Sequence, residues 1–216
     1  MSSSSLMLEE ALSAPSRVAL QLGQDAAAYA RLAESLREQP PQNLLTIARG
    51  SSDHAAHYLA YLTMARLGRL VTSLPMSLVT LYGSRLHAEG LVSFAFSQSG
   101  QSPDLVAPTQ QLRAHGARTV AFVNADASPL AAAAEHVFAL HAGPERSVAA
   151  TKSYVAQLVA GARVVAQWQQ DDSLLAALQQ LPQDLERAAA LRWSAAVDAL
   201  VGADKLFVIG RGTGLA

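Results

Sequence analysis

The chain has 216 residues, half of them apolar, with a formal net charge of −1 and no cysteine. That length suits one domain of about 150–200 residues with a core of its own and a little chain to spare. Near-neutral charge without a charged block argues against electrostatic binding of nucleic acid, and the missing cysteines exclude disulfides, thiolate metal sites and thiol nucleophiles. Met1-Ser-Ser-Ser-Ser-Leu6 lacks the charged region and apolar run of a signal peptide. No apolar stretch approaches the ~18 residues of a membrane helix. The expectation is a cytoplasmic protein with no membrane partner.

Residues 2–5 are four serines and read as a disordered end. Met7 to Leu12 suits a short helix closed by Ala14-Pro15. Ser16 to Glu38 then reads as one long amphipathic helix, with Val18, Leu22, Tyr29, Leu32 and Leu36 at helical spacing. Asn43–Ala48 is the first predicted strand; Gly50-Ser51-Ser52-Asp53 follows, then a helix from His54 to Leu67. Leu70–Ser73 is a second strand, and residues 77–88 are expected to be helical. Leu91–Phe96 is a buried strand that breaks into Ser97-Gln-Ser-Gly-Gln-Ser102, with Pro103 opening a helix to His115. Arg118–Val123 is a fourth strand, Ser128-Pro129 starts an alanine-rich helix, and His136–Leu140 is a fifth strand. A helix over residues 151–170 is followed by a helical stretch, 173–200, expected to break at Pro182. Lys205–Ile209 reads as one more strand before Gly210-Arg-Gly-Thr-Gly214.

Strands alternating with helices predict a parallel sheet covered on both faces. Ligands of such sheets sit outside the strands' carboxyl ends, where the 50–53 and 97–102 loops both fall. Ser102 at an N-cap position and Pro103 at the first helical position place the second loop at a helix N-terminus. Exposed N–H groups and the helix dipole favour an anion there, and Gly100 permits a tight turn. With no lysine or arginine in the loop, hydroxyls and amides suit a small phosphorylated metabolite. The plainer reading is ordinary turn and capping chemistry for Ser97–Ser102, and a simple N-cap for Ser52. Asp53, His54 and His57 share a helix face; with no third strong ligand nearby, a structural role is expected and no metal. Glu145 and Lys152 suggest an ion pair that shapes their loop. Arg49 and Arg211 either attract anions or cap strand ends. Ala131–Ala134 and the stripe Leu158, Val164, Val165 and Trp168 suit core or dimer packing.

Ala48-Arg-Gly-Ser-Ser-Asp-His-Ala55, Ser97-Gln-Ser-Gly-Gln-Ser102 and Gly143-Pro-Glu-Arg-Ser-Val-Ala-Ala-Thr-Lys152 together resemble the three signature stretches of sugar isomerase (SIS) domains. The pattern is similar to the isomerase half of glutamine–fructose-6-phosphate aminotransferase and to the related glucosamine-6-phosphate deaminases. The resemblance implies a three-layer αβα sandwich around a five-stranded parallel sheet of flavodoxin-like type, a homodimer, no cofactor, and a hexose 6-phosphate or amino sugar phosphate as ligand. It implies phosphate contacts from Ser97, Gln98, Ser99 and Ser102. Sugar contacts are implied from Ser52 and from the backbone at Val148, with Gly50, Ser51, Gly100, Glu145 and Lys152 in support. The expected activity is aldose–ketose isomerisation with amine release from glucosamine 6-phosphate. A phosphosugar-sensing module and a stand-alone isomerase are the alternatives, the sensor disfavoured because residues 1–42 hold no basic cluster. The aminotransferase's glutaminase domain and its cysteine are absent from this sequence. The family's acid–base glutamate, ring-opening histidine and Schiff-base lysine correspond to positions beyond Ala216. Gly210-Arg-Gly-Thr-Gly214 echoes Arg49-Gly-Ser-Ser52, each after an apolar strand. The expected organisation is a helical lead-in (1–42), an SIS domain (43–200) and the start of a second, truncated one (201–216).

Overall fold

A computed structural model describes residues 5–215. The expectation for Ser2–Ser4 lies outside the described residues, while Ser5 caps the first helix by accepting from the Leu8 amide. Five strands, β1 (Asn43–Ile47), β2 (Val71–Ser73), β3 (Leu91–Ser97), β4 (Arg118–Val123) and β5 (His136–Ala139), form one sheet in the order β2-β1-β3-β4-β5. Every pairing is parallel.

Side chains alternate between the two faces of such a sheet. Leu44, Val92, Phe94, Phe96, Val120, Phe122 and Phe138 point to one face and form the larger core. Its aromatic rings stack and tilt against one another, with Phe96 and Phe122 centroids 4.7 Å apart. Ile47, Ala95 and Ala121 point to the other face and meet smaller partners. The large-residue face is covered by α2 (Ala14–Gly23), α3 (Ala26–Glu38), α4 (Ser51–Leu67), α8 (Lys152–Gln169) and α9 (Asp172–Ala189). The opposite face carries α6 (Pro103–Ala114) and α7 (Pro129–Ala133), with Leu74 and Met76 leading into the one-turn α5 (Ser77–Thr80). The αβα sandwich is therefore present. Ala131, Ala133, Ala134, Val164, Val165 and Trp168 are core residues as expected, Leu158 is partly buried against the larger core, and Ala132 is exposed. The short α1 (Leu6–Leu12) precedes α2, and α10 (Ser194–Leu200) follows α9.

Four expectations need correction. The helix expected over 16–38 is two helices, because Gly23 ends the first and Asp25 turns left-handed (φ 57°) before the next begins. Aspartate tolerates that conformation better than most residues. The break lets α2 dock on α8, where Gln21 Nε2 donates to the Ala156 carbonyl and Arg163 donates back to the Gln21 carbonyl. The helix expected over 77–88 stops at Thr80: the chain turns through Gly83 (φ 61°), and Gln111 of α6 holds the Ser84 carbonyl. Pro182 does not break α9, although an interior proline costs roughly 3 kcal/mol. Leu178, Leu181 and Leu185 continue one apolar stripe across it against the core, so packing outweighs the lost bond, and the break falls at 190–193. Finally, Lys205–Ile209 pairs with no described strand; Phe207, Val208 and Ile209 are each more than 90% exposed.

Candidate functional site

The strand order places a reversal between β1 and β3: from β1 the chain winds outward to β2, and β3 starts the run in the other direction. A parallel sheet opens a crevice at such a switch point, beyond the carboxyl ends of the two strands. Ile47 lies beside Ala95 there, so the loops after β1 and β3 flank the crevice. Arg49 and Asp104 form an ion pair that links the first loop to the first turn of α6. Arg49 therefore has a carboxylate partner and braces the two loops, a role that neither sequence expectation for it named.

Ser97 is the last residue of β3 and is buried; its Oγ accepts from the Gly100 amide at 2.9 Å. Ser99 is exposed, and its Oγ accepts from the Gln101 amide at 3.3 Å. Both hydroxyls keep their own protons for donation. Ser102 occupies the N-cap of α6 but makes no side-chain capping bond. Its hydroxyl is thus left over, next to the unpaired N–H groups of a helix start. Gly100 has φ +65°, and a Cβ there would sit 2.6 Å from the Ser128 Cβ and 2.8 Å from Val123 Cγ2. Its carbonyl also accepts from the Leu130 amide at 3.1 Å, so the turn is pressed onto the start of α7. Glycine is required at 100 by shape as well as by φ.

In the first loop, Gly50 is the N-cap of α4 (φ 57°), and the helix begins at Ser51 rather than at His54. Ser51, Ser52 and Asp53 therefore belong to its first turn, and Ser52 is not a simple N-cap. Ser52 Oγ instead accepts from Gln157 Nε2 of α8 at 3.0 Å. Asp53 and His57 approach to 3.7 Å, one helical turn apart. No group of three or more His, Cys, Asp or Glu that could hold a metal occurs among the described residues.

The third stretch, 143–152, is fastened by two carboxylates on either side of a buried lysine. Lys152 Nζ lies 3.4 Å from Glu145 and 3.3 Å from Glu10. Glu145 accepts from the Thr151 and Ser153 amides, each at 2.9 Å. Burial alone would raise its pKa, but those bonds and Lys152 outweigh burial and leave it below the usual value. Glu10 accepts from the Ser147 hydroxyl and from the Arg146 and Ser147 amides at 2.8 and 3.1 Å. These bonds, the Ser147 hydroxyl foremost, hold its carboxyl down at about 2. The span between the two clamps reaches solvent, and Val148 is 99% exposed. The Glu145–Lys152 pair was legible in the sequence; Glu10, more than 130 residues away, was not. Gln157 left a faint signal as one amide on an apolar helix face. A cavity of about 470 Å³ lies elsewhere, between α3 and β5, where Arg118 donates to the Ser35 carbonyl. It is at the amino ends of the strands, away from the crevice.

This chain belongs to the SIS domain family, whose profile matches residues 36–166. It is 35% identical over 179 residues to the glutamine–fructose-6-phosphate aminotransferase (isomerizing) of Symbiobacterium thermophilum, covering 76% of this chain and 29% of that protein. The Thermus thermophilus enzyme of the same name is 33% identical over 150 residues, covering 65% and 24%. A crystal structure of a Silicibacter pomeroyi protein assigned to the phosphosugar isomerases superposes with a TM-score of 0.92 at 43% identity, covering 96% of this chain and 63% of that one. The matched region is homologous to the isomerase domain of the aminotransferase, and it spans less than a third of those curated relatives. No helix among the described residues is long and apolar enough to cross a membrane.

Proposed function

We propose that this chain grips a hexose 6-phosphate or amino sugar phosphate in the crevice between β1 and β3. Ser97, Gln98, Ser99 and Ser102 hold the phosphate at the start of α6. Ser52 and the backbone at Val148 meet the sugar, while Gly50, Ser51, Gly100, Glu145 and Lys152 shape the loops. The observation that carries this reading is the spare Ser102 hydroxyl at a helix N-terminus on the switch point. The reaction we assign is aldose–ketose isomerisation with amine release from glucosamine 6-phosphate, in a homodimeric cytoplasmic protein. That chemistry needs the open-chain sugar held while a base moves a proton between C1 and C2, and phosphate binding energy orients those carbons.

Asp104 and Glu145 face the cations Arg49 and Lys152, and Asp53 lies 3.7 Å from the His57 ring. We therefore assign none of them as the base, and the residues of this chain act as the anchor. The same engagement supports a second reading, a phosphosugar-sensing module that binds without turnover. We further propose 1–42 as a helical lead-in, 43–200 as the SIS domain and 201–216 as the start of a second one, because the exposed Phe207, Val208 and Ile209 call for a covering partner. Thermal denaturation with glucosamine 6-phosphate and with glucosamine tests the site: only the phosphorylated sugar raises Tm, and Ser99→Ala reduces the rise without lowering Tm itself. Equal shifts with both sugars would sink the assignment. Ammonia release separates the enzyme from the sensor.

A further inference from the structure

Gln157 lies on α8, 1% exposed, between the buried Ala156 and Val159. One end of its amide donates to Ser52 Oγ at 3.0 Å, and the other end, Oε1, is buried without a hydrogen-bond partner among the described residues. A buried acceptor left unmatched opposes folding. An apolar residue of similar length would avoid that penalty in this surrounding. The glutamine is thus better explained by what its other end does than by stability.

That other end fixes the polarity of a hydroxyl. Ser52 can donate one hydrogen bond and accept others. With Nε2 supplying a proton to Oγ from the interior, the Ser52 proton is left to donate outward. We propose that Gln157 is a positioning residue that presets Ser52 as a hydrogen-bond donor to an acceptor oxygen on the sugar portion of a phosphorylated sugar. This rests on the reading of Ser52 as a sugar contact. Gln157 touches no ligand itself; it acts through Ser52.

The test titrates the wild type, Gln157→Met, Ser52→Ala and the double variant with glucosamine 6-phosphate and with inorganic phosphate, alongside their unfolding midpoints. Gln157→Met and Ser52→Ala each weaken glucosamine 6-phosphate binding about fivefold to tenfold, the range of one neutral hydrogen bond. The double variant is no weaker than Ser52→Ala, inorganic phosphate affinity is unchanged throughout, and the Gln157→Met midpoint does not fall. A purely structural glutamine would lower the midpoint and would weaken binding further in the Ser52→Ala background; either result overturns the proposal. Equal losses for sugar phosphate and inorganic phosphate also overturn it. A wild type that binds phosphate but gains nothing from the sugar refutes the sugar contact while sparing the phosphate grip, and a wild type that binds neither refutes the site as a whole.

Discussion

Replacing Gly100 by alanine tests whether the turn after β3 is built by contact or by φ alone. At φ +65° an L-residue carries roughly 1–2 kcal/mol of left-handed strain. The new methyl would also meet the Ser128 Cβ at 2.6 Å and Val123 Cγ2 at 2.8 Å, closer than real Cβ atoms come. Such overpacking adds typically about 1–3 kcal/mol. Backbone relief would stretch the Leu130 N–H to Gly100 carbonyl bond, whose loss costs about 1 kcal/mol. The sum is about 3–6 kcal/mol. Gly68 supplies the control: it has the same φ of +65° at the end of α4, and a Cβ there meets nothing within 4 Å. Gly68→Ala should cost only the strain, about 1–2 kcal/mol. Urea denaturation of both variants gives the difference, and glucosamine 6-phosphate titration shows whether the displaced turn loses its ligand. Equal destabilisation by the two substitutions would refute the contact argument.

The remaining predictions concern hydroxyls and buried charge. Ser102→Ala should leave the urea midpoint unchanged, since its hydroxyl caps nothing, while weakening glucosamine 6-phosphate binding about fivefold or more. Ser128→Ala should cost about 1 kcal/mol, because that hydroxyl accepts from the Ala131 amide as a working N-cap. The depressed Glu10 carboxyl contributes stability that is complete above its unfolded value near 4.5 and lost as pH falls toward about 2. Melting temperature followed across that window should fall less steeply for Glu10→Gln than for the wild type. Lys152→Met leaves Glu10 and Glu145 facing each other without their shared cation, so the urea midpoint should drop strongly, and Glu145→Gln added to it should recover part of the loss.

Elements with local causes were legible in the sequence. Strand β4 and the start of α6 at Pro103 fall where apolar runs, proline and serine put them. Strand alternation implied the parallel sheet and its carboxyl ends, whereas the crevice between β1 and β3 depends on the strand order, which no local signal carries. What escaped were outcomes decided by distant partners. Local sequence reads Pro182 as a helix break, yet the leucine stripe that carries α9 past it is rewarded only by the tertiary core, α2 and α8 included. Ser16–Glu38 has a continuous helical period, yet the docking of Gln21 on Ala156 and Arg163 requires a bend at Asp25. Among the candidate site residues, the place of the second-loop serines between a strand end and a helix start was readable because Pro103 marks that boundary locally, although Ser102 makes no side-chain capping bond. Gln157 and Glu10 were not, since their partners stand 105 and more than 130 residues away.

Helix α1 bonds to the loop of the candidate site although it lies outside residues 36–166. Helix α1 buries one residue, Glu10, while Leu6, Met7, Leu8 and Leu12 are each 45–50% exposed. It is therefore held to the domain mainly by a carboxylate, whose acceptors are filled by the Arg146 and Ser147 amides and the Ser147 hydroxyl. The second clamp on the same loop is independent of the helix: Glu145 takes the Thr151 and Ser153 amides from within the loop. Glu10→Ala should thus loosen one side of the Val148 span and leave the other intact. Amide hydrogen exchange separates the two, because the four N–H groups report directly on their carboxylates. Arg146 and Ser147 should exchange much faster in the variant, and Thr151 and Ser153 should keep their protection. If all four accelerate together, the loop is a single cooperative unit braced by Lys152, and the two-clamp account is wrong. If none accelerates, the bonds to Glu10 do not order the loop, and the lead-in helix has no part in presenting Val148.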